Sequence, residues 1–118
     1  IWAAESDARL GAKAKAALEN CVNGDAVISD ISLLEVSMLA EKGRIRLSVP
    51  LKRYLLDLQA NYPVLAIEAA IAADAFSLSL RQADPFDRVI VATSRYHALP
   101  LLTRDEAITR SGLAEVIW

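Results

Sequence analysis

Cysteine is nearly absent from this 118-residue chain. Cys21 stands alone, which excludes an internal disulfide, a cysteine zinc cluster and a disulfide-stapled secreted scaffold. With no second thiol to meet, Cys21 reads as a small buried hydrophobe on or near a helix end. No apolar run reaches the roughly 18 residues that a membrane span needs, and no basic segment with an apolar stretch and cleavage site opens the chain. A cytoplasmic protein with no membrane partner is therefore expected. Excess charge of either sign is lacking too: thirteen Lys and Arg face fifteen Asp and Glu, a formal charge of −2. Any nucleic-acid binding has to come from local basic patches. There is no GxGxxG, no Walker-type phosphate loop, no GxSxG and no HExxH, which removes the usual nucleotide, hydrolase and zinc-protease readings. The four Gly and four Pro form no tract, and no repeat or charge block marks a linker.

What is present, 54% hydrophobic and 24% charged residues, fits one compact domain over 1–118. The chain opens on Ile1, not Met, inside the apolar stretch Ile1-Trp2-Ala3-Ala4, so a true N-terminus lying upstream is expected. Short apolar runs alternate with helical periodicity. Leu10, Ala14, Ala17 and Leu18 recur at helical spacing between Asp7 and Asn20, with Ser6 as N-cap. A β-type run, Ala26 to Ser29, precedes a helix expected to begin near Ser32 and stop at Gly43, which suits a left-handed C-terminal position. Pro50 opens the next helix. Val64 to Ile67 reads as a strand, Glu68 to Leu80 as an alanine-rich helix, and Asp84-Pro85 as the start of a helix reaching about Ala98. Leu99 to Thr103 reads as a strand, Asp105 to Arg110 as a short helix and Glu115 to Trp118 as a closing edge strand. Strands alternating with such helices predict an α/β fold, three layers with a mostly parallel central sheet covered on both faces.

In parallel sheets, sites form at the carboxyl ends of the strands. Asp30, Glu35, Asp84, Asp87 and Asp105 all fall at such ends or at the helix starts that follow them. Each acid has a structural explanation as well. Ser32 and Glu35 fit a capping box; Asp84 can cap, with Pro85 in the first helical position and Asp87 favouring the positive end of the dipole; Asp105 can cap the helix that it opens.

The strings Ser32-Leu-Leu-Glu35-Val-Ser, Lys42-Gly43-Arg44-Ile-Arg-Leu47, Asp84-Pro-Phe-Asp87-Arg88-Val-Ile-Val-Ala92 and Leu101-Leu-Thr103-Arg-Asp105 occur in the order and spacing of VapC-type PIN domains. The opening Ile1-Trp2-Ala3-Ala4 and the closing Val116-Ile117-Trp118 are similar to that family too, so the resemblance spans essentially the whole chain. Asp-Pro-Phe-Asp-Arg is its most specific string. The resemblance implies a PIN-like fold whose first strand, carrying an aspartate ligand, lies before Ile1. It also implies a metal-dependent endoribonuclease that acts as the toxin of a toxin–antitoxin pair, is neutralised by a small cognate antitoxin and forms a homodimer. By the same resemblance Glu35, Asp87 and Asp105 are the catalytic acids and the metal ligands, Asp84 is a further ligand at the rim, and Thr103 is the supporting hydroxyl.

The chemistry suits those residue types. Phosphodiester hydrolysis needs an activated water and relief of charge, which magnesium, or manganese in its place, supplies when held by a few carboxylates. The lone His97 and Cys21 offer no soft-metal site, and His97, late in its helix, reads as structural. Arg44, Arg46, Arg88 and Arg104 flank the acids and are the expected RNA contacts, against a plain reading as solvated charge. Two other readings compete: a noncatalytic PIN-like binding module whose acids are helix caps, and a small phosphatase-like or receiver-like α/β domain, disfavoured by the missing phosphate loop.

Overall fold

Two parallel strand pairs carry the fold. In the computed structural model, which describes Lys13, Ala16 and residues 26–80 and 83–118, β1 (Ile28–Ser29) pairs with β2 (Val64–Leu65). The second pair is β3 (Leu101–Leu102) with β4 (Val116–Ile117). Parallel neighbours need a crossover, and the intervening chain is helical as that requires. Helices α1 (Asp30–Glu41) and α2 (Leu51–Asn61) join β1 to β2, α3 (Ala69–Ala75) and α4 (Pro85–His97) join β2 to β3, and α5 (Glu106–Ser111) joins β3 to β4. Of the helix expected over 7–20, Lys13 and Ala16 are helical. The rest of that segment, with Ile1 to Ala4 and Cys21, lies outside the described residues. The Lys13 amide donates to the Trp118 backbone oxygen at 2.9 Å. No helix among the described residues is long and apolar enough to cross a membrane.

The elements fall where periodicity puts them, but several are shorter, because side chains take up the backbone groups at their ends. The strand expected over 64–67 stops at Leu65, and the Ile67 amide donates to Asp30 Oδ2 at 3.1 Å instead. The helix expected to run to Leu80 stops at Ala75. There Ser77 Oγ donates to the Asp74 carbonyl at 2.9 Å, and the carbonyls of Ala75, Leu78 and Leu80 turn to Arg88. Gly43 has φ of +69°, the left-handed position expected of it after α1. Helix α4 ends in the same way but on Ala98, at φ +54°, where the amides of Ala98 and Leu99 return to carbonyls of the last turn.

One boundary moves earlier. Ser29, not Ser32, is the N-cap of α1, its Oγ accepting from the Ile31 amide at 3.3 Å. The strand ends directly on a residue able to cap, so the helix starts without a connecting loop. The capping box expected of Ser32 and Glu35 is therefore absent, and Glu35 sits in the second turn.

The core forms where α3 lies on α4. Ile71 and Ala75 of α3, Val89, Val91 and Ala92 of α4, Leu78 and Leu80 of the following segment, and Ile108 of α5 make one buried cluster. The alanines of α3 let the two backbones approach closely. Each fully buried aliphatic side chain, such as Ile71 or Val91, is worth about 1.5–3 kcal/mol. Helix α1 packs against both α2 and α4, with Val36 fully buried. That packing sets the second turn of α1 beside the first turn of α4.

Candidate metal centre

Helix α4 opens with an acid at each of two consecutive functional positions. Asp84 is the N-cap, its Oδ1 accepting from the Asp87 amide at 2.8 Å, and Pro85 fills the first helical position, where no amide is needed. Glu35 comes to the same place from α1. One carboxylate oxygen from each of Glu35, Asp84 and Asp87 lies within 4.8 Å of the other two.

Packing then raises the electrostatic cost of this grouping. Asp87 is pushed from its ordinary 3.8 to about 6, first by burial and then by the charges of Asp84 and Asp105. Glu35 is raised as well, first by burial and then by Asp87 and Asp84. Neither side chain caps a helix end or has a hydrogen-bond or ion-pair partner among the described residues. Partly buried carboxylates that repel one another and are left uncompensated are what a cation stabilises. The donor set, all hard oxygen, fits magnesium or manganese and offers nothing to a thiophilic metal. The residues present therefore fit a divalent ion of that class.

Asp105 stands apart from this triplet. Its Oδ1 caps α5, accepting from the Ile108 amide at 2.8 Å. Its charge nevertheless reaches Asp87, which places it on the same side of the molecule. Thr103 acts on it directly, Oγ1 accepting from the Asp105 amide at 3.1 Å and so fixing the turn that presents the carboxylate. His97 lies in the last turn of α4, its ring edge-to-face with Tyr96 at 4.9 Å, far along the helix from the acids. Arg44 and Arg46 are exposed in the segment after α1, beyond the end of the helix that carries Glu35. Arg104 is exposed between Thr103 and Asp105.

Arg88, expected among the RNA contacts, is engaged by backbone carbonyls. Its Nη1 donates to the carbonyls of Ala75 at 3.2 Å and Leu78 at 3.1 Å, and its Nη2 to that of Leu80 at 2.6 Å. The guanidinium is spent on backbone carbonyls. The sequence carries a signal that foretells this only in hindsight: α3 has no basic residue in its last turn, so its carbonyls need a donor from elsewhere. Asp30 was noted as an acid after a strand, and it serves as a tie between the ends of β1 and β2.

Comparison with known proteins agrees with this geometry. Residues 1–112 match the family described as PIN domain. The chain is 34% identical over 108 residues to Ribonuclease VapC22 of Mycobacterium tuberculosis, covering 91% of this chain and 81% of that protein. Among solved structures it resembles a toxin-antitoxin complex from Klebsiella pneumoniae, with a TM-score of 0.65 and 27% identity over 90% of this chain and 82% of that one. It also resembles FitAB bound to IR36 DNA fragment in fold, with a TM-score of 0.58 and 20% identity over 89% and 80% of the two chains. By fold and by sequence, this chain belongs to the PIN domain family.

Proposed function

We propose that the chain is a magnesium-dependent endoribonuclease and the toxin of a toxin–antitoxin pair, with manganese as the alternative ion. The observation that carries this reading is the meeting of Glu35, Asp84 and Asp87 within 4.8 Å, two of them raised in pKa and without a hydrogen-bond or ion-pair partner among the described residues. The 34% identity to a ribonuclease of the VapC type and the likeness to a toxin-antitoxin complex support the activity and the partner.

In this reading Glu35 and Asp87 are the principal ligands and Asp84 closes the site at its exposed rim. Asp105, held by Thr103, adds charge on the side facing Asp87. When bound, magnesium supplies charge relief at the phosphate and an acidified water. The protein's own contribution is to hold carboxylates ionised and oriented toward that water, and to seat the RNA. In this reading Arg44, Arg46 and Arg104 meet phosphates, fixing register rather than reading bases. A cognate antitoxin covering the acidic groove, a homodimer and a cytoplasmic location complete the proposal.

A second reading has a specific observation behind it. Asp84 and Asp105 both cap helices, which is all that a noncatalytic binding module would ask of them. It gives Glu35 and Asp87 nothing to do. The test is cleavage of a single-stranded RNA by the purified full-length protein with and without magnesium, alongside Glu35→Gln and Asp87→Asn. Metal-dependent cleavage lost in both variants supports the nuclease. Cleavage that persists in both, or none from the unaltered protein at any metal concentration, leaves the binding module.

A further inference from the structure

Arginine directly after an active-site acid invites assignment to the substrate, but the surroundings of Arg88 point elsewhere. Its three carbonyl partners, on Ala75, Leu78 and Leu80, belong to the end of α3 and the segment that follows it. The ring of Phe76 lies 5.8 Å from the guanidinium carbon, within cation–π reach. Leu78 and Leu80 are buried in the core, and Ala83 packs against it. The Arg88 amide meanwhile donates to the Asp84 carbonyl at 3.2 Å, closing the first turn of α4. One residue thus ties the first turn of the acid-bearing helix, through its side chain, to the preceding helix.

Successive residues on a helix are about 100° apart. Arg88 seated on the α3 end therefore dictates where Asp87, its neighbour, must point, and Asp84 with it. We propose that Arg88 is a positioning residue, which sets the rotation of the first turn of α4 so that Asp84 and Asp87 meet Glu35, and that it makes no contact with RNA. This rests on the reading of those acids as a metal centre. A ligand set tolerates displacements of only a few tenths of an ångström, so a residue holding the ligands in register acts on metal affinity without touching the metal. Lysine cannot replace it: a single ammonium has no planar fork to span three carbonyls on a curved stretch of backbone.

The experiment is a manganese titration of the full-length protein, without RNA, followed by electron paramagnetic resonance or calorimetry. Loss of manganese binding in the unaltered protein would sink the metal reading itself before any variant is made. Given binding, Arg88→Lys should weaken it about 10–100-fold, the usual effect of removing a group that orients ligands. RNA affinity measured in chelator, and its dependence on salt, should not change. Ile71→Val, which loosens the same core without removing any hydrogen-bond partner of Arg88, should leave manganese affinity unaltered and so separates positioning from general destabilisation. Unchanged manganese affinity in Arg88→Lys would overturn the inference. So would reduced RNA affinity in Arg88→Ala with a salt slope smaller by about 0.7, the mark of a lost phosphate contact. If the variants do not fold, nuclear magnetic resonance of the unaltered protein decides. The Arg88 Nη protons should exchange slowly and stay unmoved when a non-cleavable oligonucleotide is added; a shift on binding refutes the proposal.

Discussion

Neutralising Asp87 should make the metal-free protein more stable, not less. The Asp87 carboxyl is raised from 3.8 to about 6, so the folded state prefers it protonated. A raised carboxyl contributes stability that is fully present below about 3.8 and is lost as pH rises through about 6. Taken in full, that displacement corresponds to about 3 kcal/mol. Asp87 is only partly buried, and solvent screening reduces the figure to roughly 1–2 kcal/mol. Asp87→Asn is nearly isosteric, and the Asp87 backbone amide that Asp84 caps is untouched, so no cap is lost. Urea denaturation in chelator at pH 8 should show the variant more stable by about 1–2 kcal/mol, the advantage shrinking to nothing near pH 4. Added magnesium should reverse the order at pH 8, because only the unaltered site gains binding energy. A variant less stable than its parent at pH 8 without metal would show that Asp87 is compensated by the protein, and the argument for a cation site would fail with it.

Asp84 can be dissected by two changes: Asp84→Asn keeps the cap and should keep the melting temperature while weakening manganese binding, whereas Asp84→Ala should also cost about 1 kcal/mol of stability in thermal denaturation. Thr103→Val removes the acceptor for the Asp105 amide and should lower stability by about 1 kcal/mol, with slower RNA cleavage in the same preparation. Arg44→Ala and Arg46→Ala should each reduce the salt dependence of single-stranded RNA binding by about 0.7 in log–log slope, with metal affinity unchanged in calorimetry. Ala98→Gly should raise stability by about 0.5–1 kcal/mol in denaturant titration, because the residue sits at φ +54°, where a Cβ is strained.

The order and type of the described elements were legible in the sequence, because each helix announces itself by spacing and by its start: Pro50 before α2, Asp84-Pro85 before α4, Asp105 before α5. Their extents were not. Whether Ile67 continues a strand depends on Asp30, 37 positions earlier, and whether α3 passes Ala75 depends on Arg88, 13 positions later. Periodicity is a local signal and contains neither fact. The start of α1 failed for a different reason: Ser29 and Ser32 are equally good caps by residue type, and only the end of β1 decides between them. That choice matters for the site, since it takes Glu35 out of a capping box and sets it one turn inside the helix.

The same distinction settles what a cap means at this site. Asp84 and Asp105 cap helices, and a cap uses one carboxylate oxygen to accept from one backbone amide. The second oxygen keeps its lone pairs, and its direction is now fixed by the helix start rather than by a freely rotating side chain. One Asp84 carboxylate oxygen lies within 4.8 Å of an oxygen of each of Asp87 and Glu35. A capping acid can therefore also be a ligand, the cap supplying rigidity that a metal site would need. The residues that discriminate are those with no cap to explain them. Glu35, in the second turn of α1, and Asp87, whose amide is capped while its carboxylate accepts nothing from the described residues, are held close together against burial and like charge. A fold that needed only helix starts would have no reason to retain that repulsion, and an ion that removes it gives one.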